Sequence, residues 1–109
     1  MPSRSATAEP EVENETSDQL QPLYHVILLN DDDHTYDYVI RMLQELFGHS
    51  YETAYLMAVE VDTTGRVIVL TTTKEHAELK CEQIHAFGPD PLSSRGCAGS
   101  MSATIEPAV

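Results

Sequence analysis

The chain has 109 residues, 41% of them hydrophobic, and carries 18 Asp and Glu against 6 Lys and Arg, for a formal charge of −12. That length makes one domain with a modest core, and that charge excludes nucleic acid and anionic membrane surfaces, which require clustered Lys and Arg. No apolar stretch is long enough to span a bilayer, and two cysteines are too few for a disulfide framework, so a cytoplasmic, reducing setting is expected.

Residues 1–22 hold Glu9, Glu11, Glu13, Glu15 and Asp18 against a single basic residue, Arg4, and almost no large apolar side chains. Such a segment cannot bury enough surface to offset its ordering entropy, and it is expected to be a disordered acidic extension. One arginine and no apolar h-region also argue against a secretory signal. The folded domain is expected over 23–109. Tyr24 to Asn30 reads as a strand, buried on both faces because Val26 to Leu29 are continuously apolar. Val39, Met42, Leu43, Leu46 and Phe47 then recur at helical spacing from about Tyr36, and Gly48 supplies a stop.

Ser50 is placed to cap a second helix whose inner stripe is Ala54, Met57, Ala58 and Val61. Thr63-Thr64-Gly65 reads as a turn, and Arg66 to Thr72 as a second strand with Val67 to Leu70 buried. Thr72 or Thr73 caps a third helix, with Thr72 and Glu75 spaced for a capping box; Ala77, Cys81 and Ile84 mark its inner face, and Gly88-Pro89-Asp90-Pro91 ends it. After a Ser- and Gly-rich loop, Met101, Ala103 and Ile105 alternate with polar residues as a short third strand. The order is βααβαβ, which predicts an α+β fold with a small three-stranded antiparallel sheet packed against three helices.

The chemistry concentrates in Asn30-Asp31-Asp32-Asp33-His34, where the first strand ends beside an apolar helix face. Acceptors held over an apolar hollow suit a ligand with a cationic head and an apolar body, such as the free amino terminus of a peptide. Calcium loops need alternating oxygens around a sharp Gly turn, which this run lacks. His25, His34, His49, His76 and His85 show no zinc spacing. No phosphate loop or nucleophile motif is present, so neither an enzyme, a metal nor a cofactor is expected. Cys81 reads as packing, and Cys97 as a loop thiol with no catalytic neighbour.

The stretch Tyr24-His25-Val26-Ile27-Leu28-Leu29-Asn30-Asp31-Asp32 resembles the Y-x-V-x-L-x-N-D-D of the ClpS adaptors of the ATP-dependent Clp protease. Thr73, Glu75, Ala77, Glu78 and Lys80 resemble that family's T-x-E-x-A-E-x-K, and Thr104-Ile105-Glu106 its final T-L-E. The resemblance implies an adaptor that binds N-degron substrates by a first residue such as Phe, Tyr, Trp or Leu. It implies delivery to the N-terminal domain of a Clp AAA+ unfoldase, with the acidic extension taking part.

By position, the resemblance assigns the substrate α-amine to Asn30, Asp31, Asp32 and Asp62, with Asp62 standing where the family usually has His. It assigns the side-chain pocket to Leu29, Tyr36, Val39, Ala58, Val61 and Met101, and unfoldase docking to Glu75 and Lys80. Ala58 replaces a usual Met and should widen the pocket. Tyr36, in a His34-Thr35-Tyr36 that replaces T-P-M, could refill that volume. The loop from Gly88 to Gly99 looks longer than the family's. The competing reading is a small protein-docking domain without α-amine recognition, which the same fold would also serve.

Overall fold

The computed structural model describes residues 22–31, 33–91 and 99–109. The N-terminal extension up to residue 21, Asp32, and most of the long loop with Cys97 lie outside the described residues. The element order is β1 (Leu23–Leu29), α1 (Tyr36–Phe47), α2 (Tyr51–Thr64), β2 (Arg66–Thr73), α3 (Lys74–His85) and β3 (Ser102–Pro107), the expected βααβαβ. The strands form one antiparallel sheet in the order β2-β1-β3.

Each helix starts and stops where the side chains dictate. Thr35 and Ser50 accept the backbone N–H groups of Tyr38 and Thr53, satisfying donors that have no partner inside the helix. Gly48 and Gly65 end α1 and α2 at φ +73° and +94°, a left-handed turn that costs glycine nothing. One face of the sheet meets all three helices. Val26, Leu28, Val67, Val69 and Ala103 from the strands join Tyr38, Val39, Met42, Leu43, Ala54, Ala58, Val61, Ala77 and Ile84 from the helices in a single core, with Met101 just ahead of β3.

Among the described residues no helix lies over the other sheet face. Ile27 nevertheless has no exposed surface there, and the pairing explains why. Arg66 stands opposite Leu29 and Glu106 opposite His25, so the 3.0 Å Arg66–Glu106 ion pair crosses β1 at the level of Ile27. Arg stems cover apolar surface in this way while the charged end stays in water. This open face corrects the expectation that Val67 to Leu70 are all buried: β2 alternates, with Val67 and Val69 enclosed and Ile68 45% exposed.

Three local corrections have equally plain causes. Thr63 and Thr64 belong to α2 rather than to a turn, because their hydroxyls donate back to the carbonyls of Val59 and Glu60 and Gly65 alone makes the reversal. Thr73, not Thr72, caps α3. Its hydroxyl accepts from the His76 N–H while the Thr72 hydroxyl pairs with the His76 ring, so the Thr72–Glu75 capping box does not form. And α3 ends at His85, with Ala86 as its cap, ahead of the Gly88-Pro89 signal.

The exposed strand edges are closed by side chains, which removes a template for pairing with another chain. A β-bulge sets Val69 out of register, and its carbonyl accepts from His49 Nε2 at 2.8 Å. On β3 the Ala103 N–H donates to His85 Nε2 at 3.1 Å, and its carbonyl accepts from Cys81 Sγ at 3.2 Å. Lys80 does the corresponding work for α1: its ammonium donates to the Leu46 carbonyl at 2.5 Å and lies 5.5 Å from the Phe47 ring centroid. Lys80→Ala is therefore expected to lower unfolding free energy by about 1–2 kcal/mol, through loss of a charge-assisted bond at a helix C-terminus. A lower Tm with unchanged helical circular dichroism would show it.

Candidate functional site

The site forms where β1 ends. The Asn30 N–H donates to the Gly65 carbonyl at 3.1 Å, which fastens the first residue after the strand to the residue that caps α2. Asp62 is three positions back on the last turn of that helix. The Asn30 backbone and Asp62 are thus held at one place by a single backbone bond and a glycine turn.

Below this rim lies an apolar wall. Val39 from α1, Ala58 and Val61 from α2, and Met101 are each 4% exposed or less and share the core with Leu28. The structure brings together four of the six residues expected for the pocket. Leu29 is not among them. Alternation along β1 turns Val26 and Leu28 toward the helices and leaves Leu29 half-buried outside that cluster. Leu28 stands in its place. The assignment of Leu29 came from the resemblance by position; period two counted back from Asn30 points to Leu28 instead.

Tyr36 lies at the surface, 37% exposed, and is not part of the core cluster. Its ring meets Tyr55 edge-on at 6.1 Å between centroids, and its hydroxyl donates to Asp62 Oδ2 at 2.8 Å. The bond to Asp62, then burial and the charges of Asp62 and Tyr55, raise the Tyr36 hydroxyl above the ordinary tyrosine pKa. Tyr36 therefore links the start of α1 to α2 at the surface, and it does not join Ala58 in the core cluster.

The turn from Asn30 to Thr35 is held from within and from the far end of the chain. Asp31 Oδ1 accepts the Asp33 N–H at 3.0 Å and the His34 Nδ1–H at 2.9 Å. The Thr35 N–H donates to Asp90 Oδ2 at 2.6 Å, and Asp90 is 2% exposed. The Tyr38 hydroxyl donates to the Gly88 carbonyl at 2.5 Å, while the Gly88 N–H donates to Ser100 Oγ at 2.6 Å. Tyr38 also packs edge-on against Phe87 at 5.5 Å, with the Arg41 guanidinium over both rings. In the sequence Asp90 is part of a helix-ending turn, and a lone acid between two prolines carries no signal of a buried acceptor.

Of the expected α-amine acceptors, Asp31 is engaged by His34 and by its own turn, Asp62 by Tyr36, and Asp32 lies outside the described residues. Among the described residues no group of three or more His, Cys, Asp or Glu gathers around a point where a metal ion could sit. No described helix is long and apolar enough to cross a membrane. On α3, Glu75 is exposed and lines a hollow of about 420 Å³ with Pro22, Tyr24, Lys74 and Glu78. Lys80, the other residue expected in docking, is turned to α1.

The family model for "ATP-dependent Clp protease adaptor protein ClpS" matches residues 19–94. Relatives named ATP-dependent Clp protease adapter protein ClpS include one from Desulforapulum autotrophicum, 32% identical over 95 residues, covering 79% of this chain and 91% of its own length. Another, from Nautilia profundicola, is 38% identical over 76 residues, covering 70% and 78%. A solved structure of Agrobacterium tumefaciens ClpS2 bound to L-phenylalaninamide superimposes with a TM-score of 0.67 at 27% identity, covering 79% of this chain and 96% of that one. The chain belongs to the ClpS family of Clp protease adaptors, and it is an adaptor rather than an enzyme.

Asp90→Ala should lower stability by about 1–3 kcal/mol, because the enclosed Thr35 N–H loses its acceptor. Urea titration is expected to show a lower midpoint with an unchanged slope.

Proposed function

From that membership, we propose that the chain binds N-degron substrates by their N-terminal residue and delivers them to the N-terminal domain of a Clp AAA+ unfoldase in the cytoplasm. The observation that supports this reading is the fastening of the Asn30 backbone to the residue that caps α2, one turn from Asp62, next to a core that includes Leu28, Val39, Ala58, Val61 and Met101. An α-ammonium has three donors, which the Asn30 carbonyl oxygen, Asp62 and Asp32 would satisfy. The ligand of the Agrobacterium relative, L-phenylalaninamide, has this chemistry: a free amine, an apolar side chain and a blocked carboxylate.

Charge-assisted hydrogen bonds contribute about 1.5–3 kcal/mol each, and burying a Leu or Phe side chain about as much again. Less the cost of association, two such bonds and one filled pocket correspond to a Kd on the order of micromolar or somewhat tighter. Asp31, bonded to His34, holds the turn in this scheme, while Tyr36 bonds one oxygen of Asp62 and would leave the other for the amine. Glu75 offers the exposed acidic contact for the unfoldase on α3. Lys80, engaged at the end of α1, would reach that partner only at the expense of its cap.

Two measurements test the pocket. Asn30→Ala combined with Asp32→Ala is expected to weaken a Phe-initiated peptide by at least ~100-fold, the loss of two charge-assisted bonds. Acetylating the wild-type ligand's amine should do the same. Equal binding of free and acetylated peptides would favour a docking domain without α-amine recognition. Separately, Ala58→Met should narrow the cavity. In competition assays it should weaken bulky or β-branched first residues about tenfold, roughly 1.4 kcal/mol, and leave Leu-initiated peptides nearly unchanged.

A further inference from the structure

His34 has a place in the site that neither its residue type nor its position in the turn foretells. Its side chain is 2% exposed. Nδ1 lies 2.8 Å from Asp31 Oδ2, and Nε2 lies 2.9 Å from the Gly99 carbonyl oxygen. A carboxylate and a backbone carbonyl only accept hydrogen bonds, whereas a neutral imidazole carries one donor and one acceptor. In either neutral tautomer one ring nitrogen would turn a lone pair toward an oxygen. Only the imidazolium satisfies both contacts.

The surroundings agree. Asp31 faces the ring from its own turn, and Asp90 adds negative charge from the turn beyond α3. Tyr38 on α1 lies against it at 4.5 Å, with the Arg41 guanidinium 5.9 Å from the Tyr38 centroid. Asp33 is the next residue in the turn, and Asp37 stands in the first turn of α1. Burial lowers the His34 pKa, but the hydrogen bonds to Asp31 and to the Gly99 carbonyl, together with the charges of Asp31 and Asp90, raise it above the ordinary histidine value of 6.5.

The two ends of this bridge matter because of what adjoins them. Asp31 follows Asn30, and Gly99 precedes Met101 by two residues. We propose that His34 is a positioning residue for peptide capture: as the imidazolium it ties the Asn30–Asp31 turn to the Gly99–Met101 segment, so that the polar rim and the apolar wall keep the spacing an N-terminal residue needs. The inference rests on the N-degron reading above. It also assigns Asp31 to this internal cation rather than to the substrate's amine.

The pH dependence has a definite sign. Because the folded-state pKa is raised, the bridge is complete below pH 6.5 and is lost as pH rises through the His34 midpoint above that value. Peptide affinity should fall with it, by at most about tenfold per pH unit for one proton. The ligand's own α-amine titrates at about pH 7.7–8.0, and the His34→Gln profile isolates that contribution. In a titration upward from pH 5.5 the wild-type Kd for a Phe-initiated peptide should rise as pH passes the His34 midpoint, by no more than about tenfold per pH unit, from the release of one linked proton. His34→Gln should bind more weakly at pH 5.5 and show no rise at that midpoint. In the wild-type protein, saturating peptide should raise the midpoint of the His34 ring resonances in an NMR titration, since linkage is reciprocal; this readout needs no variant.

A His34→Gln profile that parallels wild type, or a His34 midpoint that saturating peptide leaves in place, would overturn this inference alone. Failure to distinguish free from acetylated amino termini at every pH would overturn the N-degron reading and the inference with it.

Discussion

One backbone hydrogen bond organises the functional end of this molecule. When the Asn30 N–H reaches the Gly65 carbonyl, the last residue leaving the central strand is fixed to the cap of α2. Everything proposed for the site follows from that attachment. It brings the Asn30 backbone to the end of α2, one turn from Asp62 and beside the core to which α1 and α2 give their buried stripes. Gly65 makes it possible, since its φ of +94° turns the chain sharply enough to present that carbonyl to the strand. A side chain with a β-carbon there would be strained, and the rim would lose its geometry before any contact with ligand changed.

Segments distant in sequence then stabilise the turn between β1 and α1. Asp90 accepts from Thr35, Tyr38 donates to Gly88, and Gly88 donates to Ser100. These bonds span from 12 to 55 positions in sequence and converge on one corner. They hold Gly88, Asp90 and Ser100 against this corner, next to Met101 in the core. A turn rich in carboxylates would otherwise repel itself. Internal donors, namely the His34 ring, the Thr35 N–H and the Tyr36 hydroxyl, engage three of the acids and make their close approach tolerable.

The same economy of polar groups governs the sheet. Three strands leave two edges, and both are met by imidazoles: His49 at Val69 and His85 at Ala103. Histidines scattered without metal spacing thus find structural employment at strand edges and in the acidic turn. The uncovered sheet face is protected over Ile27 by an ion pair rather than by a helix. That arrangement lets a chain of this size devote all three helices to one side, where the apolar wall is needed.

Much of the architecture was legible in the residues. Helical spacing of apolar side chains, Ser and Thr caps and glycine stops place α1 and α2 within a residue or so, because those signals act within a single turn of backbone. The N-D-D run after an apolar strand carries the family resemblance, and the site proposed here starts from it. What the linear chain concealed depends on partners far away. A continuous apolar run does not reveal which strand residues face the helices: Val26 and Leu28 join the core, and Leu29, assigned to the pocket by resemblance, does not. Asp90 became a buried acceptor only through folding, and Lys80 acquired its role from the end of another helix. Whether a His34 nitrogen meets a donor or an acceptor is settled by Gly99, 65 positions on. Local sequence sets what each segment is; the three-dimensional packing alone decides which polar groups meet, because hydrogen bonds are made between atoms close in space, whatever their separation along the chain.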